Sequence, residues 1–277
     1  MFLINSFIYS SAPPVETEFK ITVDTTQPGS ASDTFVLPLQ NGTTNMTVYW
    51  GDGNSDVITA YNQAELTHVY ASSGTYQISL DGSFYGINFA FGGDRMKLSS
   101  IDNWGTNQWG NANKAFYGCS NMVGTYTDNP DLSLVLDLQY MFGSCTIFNS
   151  PLTLDTPSAT NLAYMFYQAQ SFNSLLDLTD SSSVSNMSLM FFNAVSFNQD
   201  ISTWNISSLT NANGLLYFNT VFSTANYDAL LIGWQGQTHN NSVLFHAGDA
   251  QYSLGAPATA RAGLISDSWT ITDGGQV

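Results

Sequence analysis

The segment Asn186-Met187-Ser188-Leu189-Met190-Phe191-Phe192-Asn193-Ala194-Val195-Ser196-Phe197 decides how this chain is read, because its pattern returns four more times. Phe191 aligns with Phe116, Phe142, Phe166 and Leu216, at spacings of 26, 24, 25 and 25 residues along the series. Six positions later stand Met122, Phe148, Phe172, Phe197 and Phe222. Five positions before the first aromatic are Asn111, Asp137, Asn161, Asn186 and Asn211. Three columns keeping one period over five copies define a repeat array, and a fixed period between about 20 and 50 residues indicates units that stack.

Within a copy, Met187, Met190, Phe191 and Ala194 fall at i, i+3, i+4 and i+7, which predicts one buried face of a short helix. Leu162, Met165, Phe166, Ala169 and Leu138, Met141, Phe142, Cys145 repeat it, and the Asn/Asp column suits helix N-caps. An irregular stretch and a brief β-like segment, Asn205 to Thr210, would complete the unit. Such a unit cannot bury its apolar face alone, whereas stacked copies share one core. The aromatic columns are read as core, with a carbohydrate-stacking ladder as the other option, and Trp104, Trp109, Trp204 and Trp234 as the side chains most able to reach the surface.

The run Met190-Phe191-Phe192-Asn193-Ala194-Val195-Ser196-Phe197-Asn198-Gln199-Asp200-Ile201, continued by Trp204, resembles the repeat of the BspA-like leucine-rich repeat surface proteins. The first unit, Leu98 to Gly105, and the last, Gly233-Trp234 to Gly275, are similar to that family's terminal units. Ahead of the repeats, Phe19, Ile21, Val23 and Met46, Val48, Trp50 alternate with polar residues, which predicts strands with one buried face. Tyr49-Trp50-Gly51-Asp52-Gly53, His68-Val69-Tyr70 and Gly74 to Leu80 resemble the PKD domain, an immunoglobulin-like module, although that family usually has Phe between Trp and the first Gly. The resemblances imply an α+β fold: a small N-terminal PKD-like β-sandwich followed by a leucine-rich-repeat-like α/β solenoid of about 25-residue repeats. Residues 1–16 are then an anchoring segment and hinge, 17–83 the sandwich, and 84–277 the solenoid with a C-terminal cap.

Charged residues are only 9% of the 277, against about 25% in ordinary soluble domains. The 21 acidic and 5 basic residues give a net charge of −16, which argues against nucleic acid and anionic lipid as partners. No run is long and apolar enough to predict a membrane span. The opening Met1 to Ser10 has no cation and is interrupted by Asn5 and Ser6, so it is not read as a secretory signal.

His68, His239 and His246 show no metal-ligand spacing and are read as structural. Asp52-Gly53-Asn54-Ser55-Asp56 begins like a calcium loop, but Val57 and Gln63 break the ligand pattern. Loose calcium association around Asp128 and Asp131 is left open. Cys119 and Cys145 share a column, and helices 8–10 Å apart would hold them beyond disulfide reach. No nucleophile elbow, P-loop or zinc-protease motif occurs, so neither an enzyme nor a cofactor is expected.

Two functions follow as expectations. The first is a non-enzymatic virion structural or accessory protein, a bacteriophage capsid or tail decoration. It would dock on other virion proteins through Phe2, Leu3, Ile4, Phe7 and Ile8, with Ser11 to Pro14 as hinge. The alternative is a secreted bacterial surface adhesin that holds a cell-surface protein or glycan. Either could form oligomers.

Overall fold

The computed structural model describes residues 16–277. Its N-terminal half is built around β1 (Phe19–Asp24), whose Phe19, Ile21 and Val23 are fully buried while the residues between them stay half-exposed. The other strands of this half are β2 (Thr34–Val36), β3 (Thr44–Tyr49), β4 (Ser55–Ile58), β5 (Thr67–Val69), β6 (Thr75–Phe84) and β7 (Leu98–Asn103). With β8 (Val123–Gly124) they form a six-stranded sheet in the order β4-β3-β6-β1-β7-β8, and β2 pairs separately with β5. The residues quoted above around Trp50, His68 and Tyr70 cluster. The His68 ring stacks on Trp50 at 4.7 Å and bonds Asp52 at 2.9 Å. The Tyr70 hydroxyl donates to the Trp50 carbonyl at 3.0 Å, and the Trp50 indole N–H donates to Asp56 at 2.8 Å.

The expected combination of a sandwich and an α/β solenoid is not the fold. β7 lies beyond residue 83, runs antiparallel to β1 and adds the parallel β8 from the first repeat, so one sheet takes strands from both regions. The repeat units contain no α-helix. Among the described residues there are two, α1 (Thr224–Gln235) and α2 (Ala256–Ser266), and both follow the units.

Backbone bonding explains the missing helices. Along 138–145, alternate N–H groups point in two directions. Leu138, Tyr140, Phe142 and Ser144 donate across to the carbonyls of Asn161, Ala163, Met165 and Tyr167 in the next unit. Met141, Gly143 and Cys145 donate back three residues to Leu138, Tyr140 and Phe142. The 162–169 segment repeats both sets toward the unit after it. Half the donors thus tie neighbouring copies together as in a parallel sheet, and the other half close tight turns. Tyr140, Ser144, Tyr164, Gln168, Leu189 and Asn193 are left-handed (φ 54–61°), which supplies the positive φ that such turns need at their third residue and that an α-helix cannot contain repeatedly. The i, i+3, i+4, i+7 residues are nevertheless all buried. Two successive turns bury the same positions as two turns of helix.

The Asn/Asp column caps these turns rather than helices. Asp137, Asn161, Asn186 and Asn211 each accept the N–H two residues on, at 2.9–3.1 Å. They also form a ladder: Asn161 donates to Asp137 at 3.0 Å and Asn186 donates to Asn161 at 3.2 Å. Asn161→Ala removes three of these bonds from a half-buried site and is expected to cost about 2 kcal/mol, read from the denaturation midpoint.

Inside the stack, Phe116, Phe142, Phe166 and Phe191 lie face to face at 5.5–5.6 Å, and Phe148, Phe172, Phe197 and Phe222 form a second file at 6.0–6.3 Å. These rings and Leu216 are buried. Between the units, β9 (Leu152–Leu154) pairs in parallel with β10 (Leu176–Leu178). At the far end, β11 (Asn211–Ala212), β12 (Leu244–His246) and β13 (Thr270–Thr272) form a parallel sheet whose connections are α1 and α2. Ser223 caps α1 by accepting the Asn226 N–H, and Tyr227, Leu230, Leu231 and Trp234 form its buried side.

Candidate functional site

The two left-handed positions of each unit turn side chains away from the core, and aromatic residues recur there and beside them. One residue after the first buried aromatic stand Tyr117, Tyr167, Phe192 and Tyr217; two residues before it stand Tyr140 and Tyr164. Together with Phe91, Phe218 and His246 they make a continuous outer row of nine rings. Successive centroids are 4.8 Å (Phe91 to Tyr117), 4.6 Å (Tyr117 to Tyr140), 4.5 Å (Tyr140 to Tyr164), 5.7 Å (Tyr164 to Tyr167) and 4.9 Å (Tyr167 to Phe192). The row continues to Phe218 at 5.2 Å, to Tyr217 at 4.1 Å and to His246 at 4.7 Å. Phe91 and Phe218 are about half exposed, at 49% and 52%, and the tyrosines between them are partly exposed.

The middle rings hide their faces against one another, since Tyr140 and Tyr164 are within 18° of parallel and Tyr167 and Phe192 within 15°. What the row offers is edges and phenol tips. Among the described residues, none of the hydroxyls of Tyr117, Tyr140, Tyr164, Tyr167 and Tyr217 donates a hydrogen bond within the chain. Burial, and then the neighbouring phenols of Tyr164, Tyr117 and Tyr167, push Tyr140 up to about 12; burial also raises Tyr117. The Tyr117 and Tyr140 phenols therefore stay protonated donors at any physiological pH.

Charge is segregated around the row. Residues 111–122, 138–149, 162–173, 187–198 and 212–223, the five turn segments, contain no Asp or Glu. The carboxylates of this part of the chain, such as Asp128, Asp131, Asp137, Asp155, Asp177, Asp180 and Asp200, belong to the segments between them. The turn segments thus form an aromatic, amide-rich and uncharged tract on a strongly acidic molecule, broken only by Lys114.

Several sequence expectations are placed differently. Trp104, Trp109, Trp204 and Trp234 are buried rather than near the surface. Trp104 and Trp109 lock the sheet onto the first unit, meeting Phe19 at 5.9 and 5.6 Å and Phe116 at 5.9 and 6.2 Å. Cys119 and Cys145 are free, buried thiols, and burial raises both above their ordinary range. The helix spacing behind that expectation is absent, since adjacent turns approach so closely that the Cys145 thiol reaches the Phe116 carbonyl at 3.1 Å. His239 bridges the Gln237 carbonyl and Asp267 at 2.8 and 3.1 Å, and the His246 ring accepts the Gly248 N–H at 3.0 Å. Asp52 folds its loop by accepting the Asn54 N–H, and Asp128 accepts the N–H groups of Trp104 and Gly105. Among the described residues, no group of three or more His, Cys, Asp or Glu side chains is placed to hold a metal. The expected anchor, Phe2, Leu3, Ile4, Phe7 and Ile8, lies outside the described residues. No helix among the described residues is long and apolar enough to cross a membrane.

The outer row escaped the sequence reading, although its signal was there: two further aromatic columns in the same period, and the missing carboxylates around them. Two overlapping stretches of the chain, 85–173 and 110–230, match one family model, described as Mycoplasma protein of unknown function, DUF285. They take in the turn units and most of the ring row, and are compatible with the likeness of the repeats to BspA-like surface proteins. The match begins at residue 85 and does not reach residues 17–83, and the PKD resemblance there stays without support. No similar curated protein and no similar solved structure is found. Because the two stretches together cover more than half of the 277 residues, the chain belongs to the family of Mycoplasma proteins of unknown function, DUF285.

Proposed function

We propose that the chain is a non-enzymatic binding module, secreted or displayed on a cell surface, that uses the outer ring row to engage a protein on another surface. The observation that carries this is a nine-ring, partly exposed row, most of it on turn segments that contain no Asp or Glu, in a chain of net charge −16. Tyr and Phe supply large contact area at low conformational cost, and Tyr, Ser, Gly and Asn dominate rigid recognition surfaces for that reason. The same residue types fill these turns, in Tyr117, Tyr140, Tyr164, Ser144, Ser188 and Asn193. Mutually stacked faces favour a protein over a glycan, because a sugar needs an open ring face to lie on. Docking on other virion proteins rests on residues 1–14, outside the described part, and no observation on the described residues favours it.

Fluorescently labelled chain is expected to bind cultured animal cells saturably in flow cytometry, and trypsin treatment of the cells should abolish the signal. Tyr140→Ser combined with Tyr167→Ser is expected to weaken binding at least tenfold with an unchanged circular dichroism spectrum. Equal binding by the double variant would overturn the proposal.

A further inference from the structure

Only five basic side chains stand against the 21 acidic ones, so where each goes is informative. Lys20 pairs with Glu16 and Glu18, Lys97 is buried beside Asp94, and Arg261 makes a forked contact with Asp273 at 2.7 and 3.2 Å. Arg95 and Lys114 make no ion pair among the described residues, and residues 1–15 contain no Asp or Glu that could supply one. Both lie at the same end of the ring row. Lys114 occupies the column of Tyr140 and Tyr164, and its carbonyl accepts the Ala90 N–H. The Arg95 guanidinium sits over the Phe91 ring, 4.8 Å from its centroid.

This end is a built concavity. A cavity of about 250 Å³ is lined by Phe91, Arg95, Met96, Gly118, Ser144 and Gln168, among others, and no carboxylate lines it. Gly118 is left-handed (φ +85°), and a Cβ there would come within 2.6 Å of the Phe91 ring and 2.8 Å of Arg95 Cδ, so only glycine lets these two side chains pack as they do. Ala90 and Phe91 are consecutive left-handed residues (φ 46° and 61°), a costly backbone that persists only where surrounding structure holds it. Among the described residues, the guanidinium donates no hydrogen bond, so its whole fork stays open above an aromatic face.

We infer that this cavity seats the carboxylate of an acidic side chain on the partner protein, bound by the Arg95 fork beside Phe91. A guanidinium fork matches a planar carboxylate bidentately, whereas the adjacent lysine acts as a point charge. A singly charged carboxylate also suits a −16 molecule better than a doubly charged phosphate, which its long-range field repels more strongly. The inference rests on the ring row being a protein-binding face and names the group that sets its register.

The test is nuclear magnetic resonance on the ¹⁵N-labelled full chain, following the Arg95 Nε–H signal. The probes are the peptides Ac-Tyr-Glu-Tyr-NH₂ and Ac-Tyr-Gln-Tyr-NH₂, glucuronate and inorganic phosphate. The Glu peptide is expected to move the signal saturably and to bind at least tenfold tighter than the Gln peptide. Arg95→Lys should retain part of that preference and Arg95→Gln none, with the remaining amide spectrum unchanged. Equal binding of the two peptides, or tighter binding of glucuronate or phosphate than of the Glu peptide, would overturn it. If Tyr140→Ser/Tyr167→Ser abolishes cell binding while Arg95→Gln does not, the binding face stands and the carboxylate seat fails. If the Glu peptide binds at Arg95 while that double variant leaves cell binding intact, the seat stands and the binding face fails.

Discussion

Phe166→Ala is expected to remove about 4 kcal/mol of stability, seen as a lower denaturation midpoint with an unchanged slope. Phe166 touches three other rings, Phe142 at 5.5 Å, Phe172 at 4.1 Å and Phe191 at 5.6 Å, and it is fully buried. The vacated space cannot close by side-chain relaxation alone. Closing it would need the neighbouring units to approach, and lateral bonds such as Phe142 N–H to the Met165 carbonyl and Phe166 N–H to the Met190 carbonyl, both 2.9 Å, fix their separation. A cavity that cannot collapse puts the cost in the upper part of the Phe→Ala range. A loss below about 1 kcal/mol would mean that the ring file is ornament and that the lateral ladder alone carries the stack.

Lys97→Met is expected to cost about 4 kcal/mol, for a different reason. The Lys97 ammonium is fully buried and reaches the carbonyls of Ser30, Ala31 and Thr34 at 3.1, 2.8 and 2.7 Å, the Ser30 hydroxyl at 3.0 Å and Asp94 at 3.8 Å. Asp94 in turn accepts the N–H of Ser30 and of Val36 at 2.5 and 2.7 Å. The pair clamps residues 30–36 against β7. Methionine matches the volume, but it leaves the buried Asp94 charge without its cation and the Ser30, Ala31 and Thr34 carbonyls without the ammonium donor, which costs far more than an intact pair contributes. In Lys97→Met combined with Asp94→Leu the stranded charge is gone, so part of the stability should return. Thermal unfolding of the single and double variants reads the difference.

Much of the core could be read from the sequence, because burial depends on which positions face inward and not on the path the backbone takes between them. Met187, Met190, Phe191 and Ala194 are inside, as their spacing demanded. The same spacing could not separate a helix from consecutive turns. The distinguishing signal is faint: Gly118, Asn193 and Gly214 stand at left-handed positions, yet Tyr140, Tyr164 and Gln168 occupy equivalent ones against their own preference. What overrides that preference is the lateral bonding to the next copy, a non-local term that one unit's residues do not encode. The tryptophans were misplaced for a related reason. Trp104 and Trp109 face a partner, Phe19, some 85 to 90 residues earlier in the chain, and only the pairing of β1 with β7 brings them together. Of the outer row, the aromatic residues were visible as columns, but the outward direction of Phe91, Tyr140, Tyr164 and Phe218 follows from left-handed backbone angles.

Because the turn segments at 138–145, 162–169 and 187–194 each give the same set of four lateral bonds, a whole copy of about 25 residues can be added or lost among them without inventing a new junction. Each such duplication would lengthen the outer tract by one strand spacing, about 4.8 Å, while both ends keep their terminating structures. Copy number then works as a ruler: relatives of different length would reach across correspondingly wider footprints with an unaltered interior.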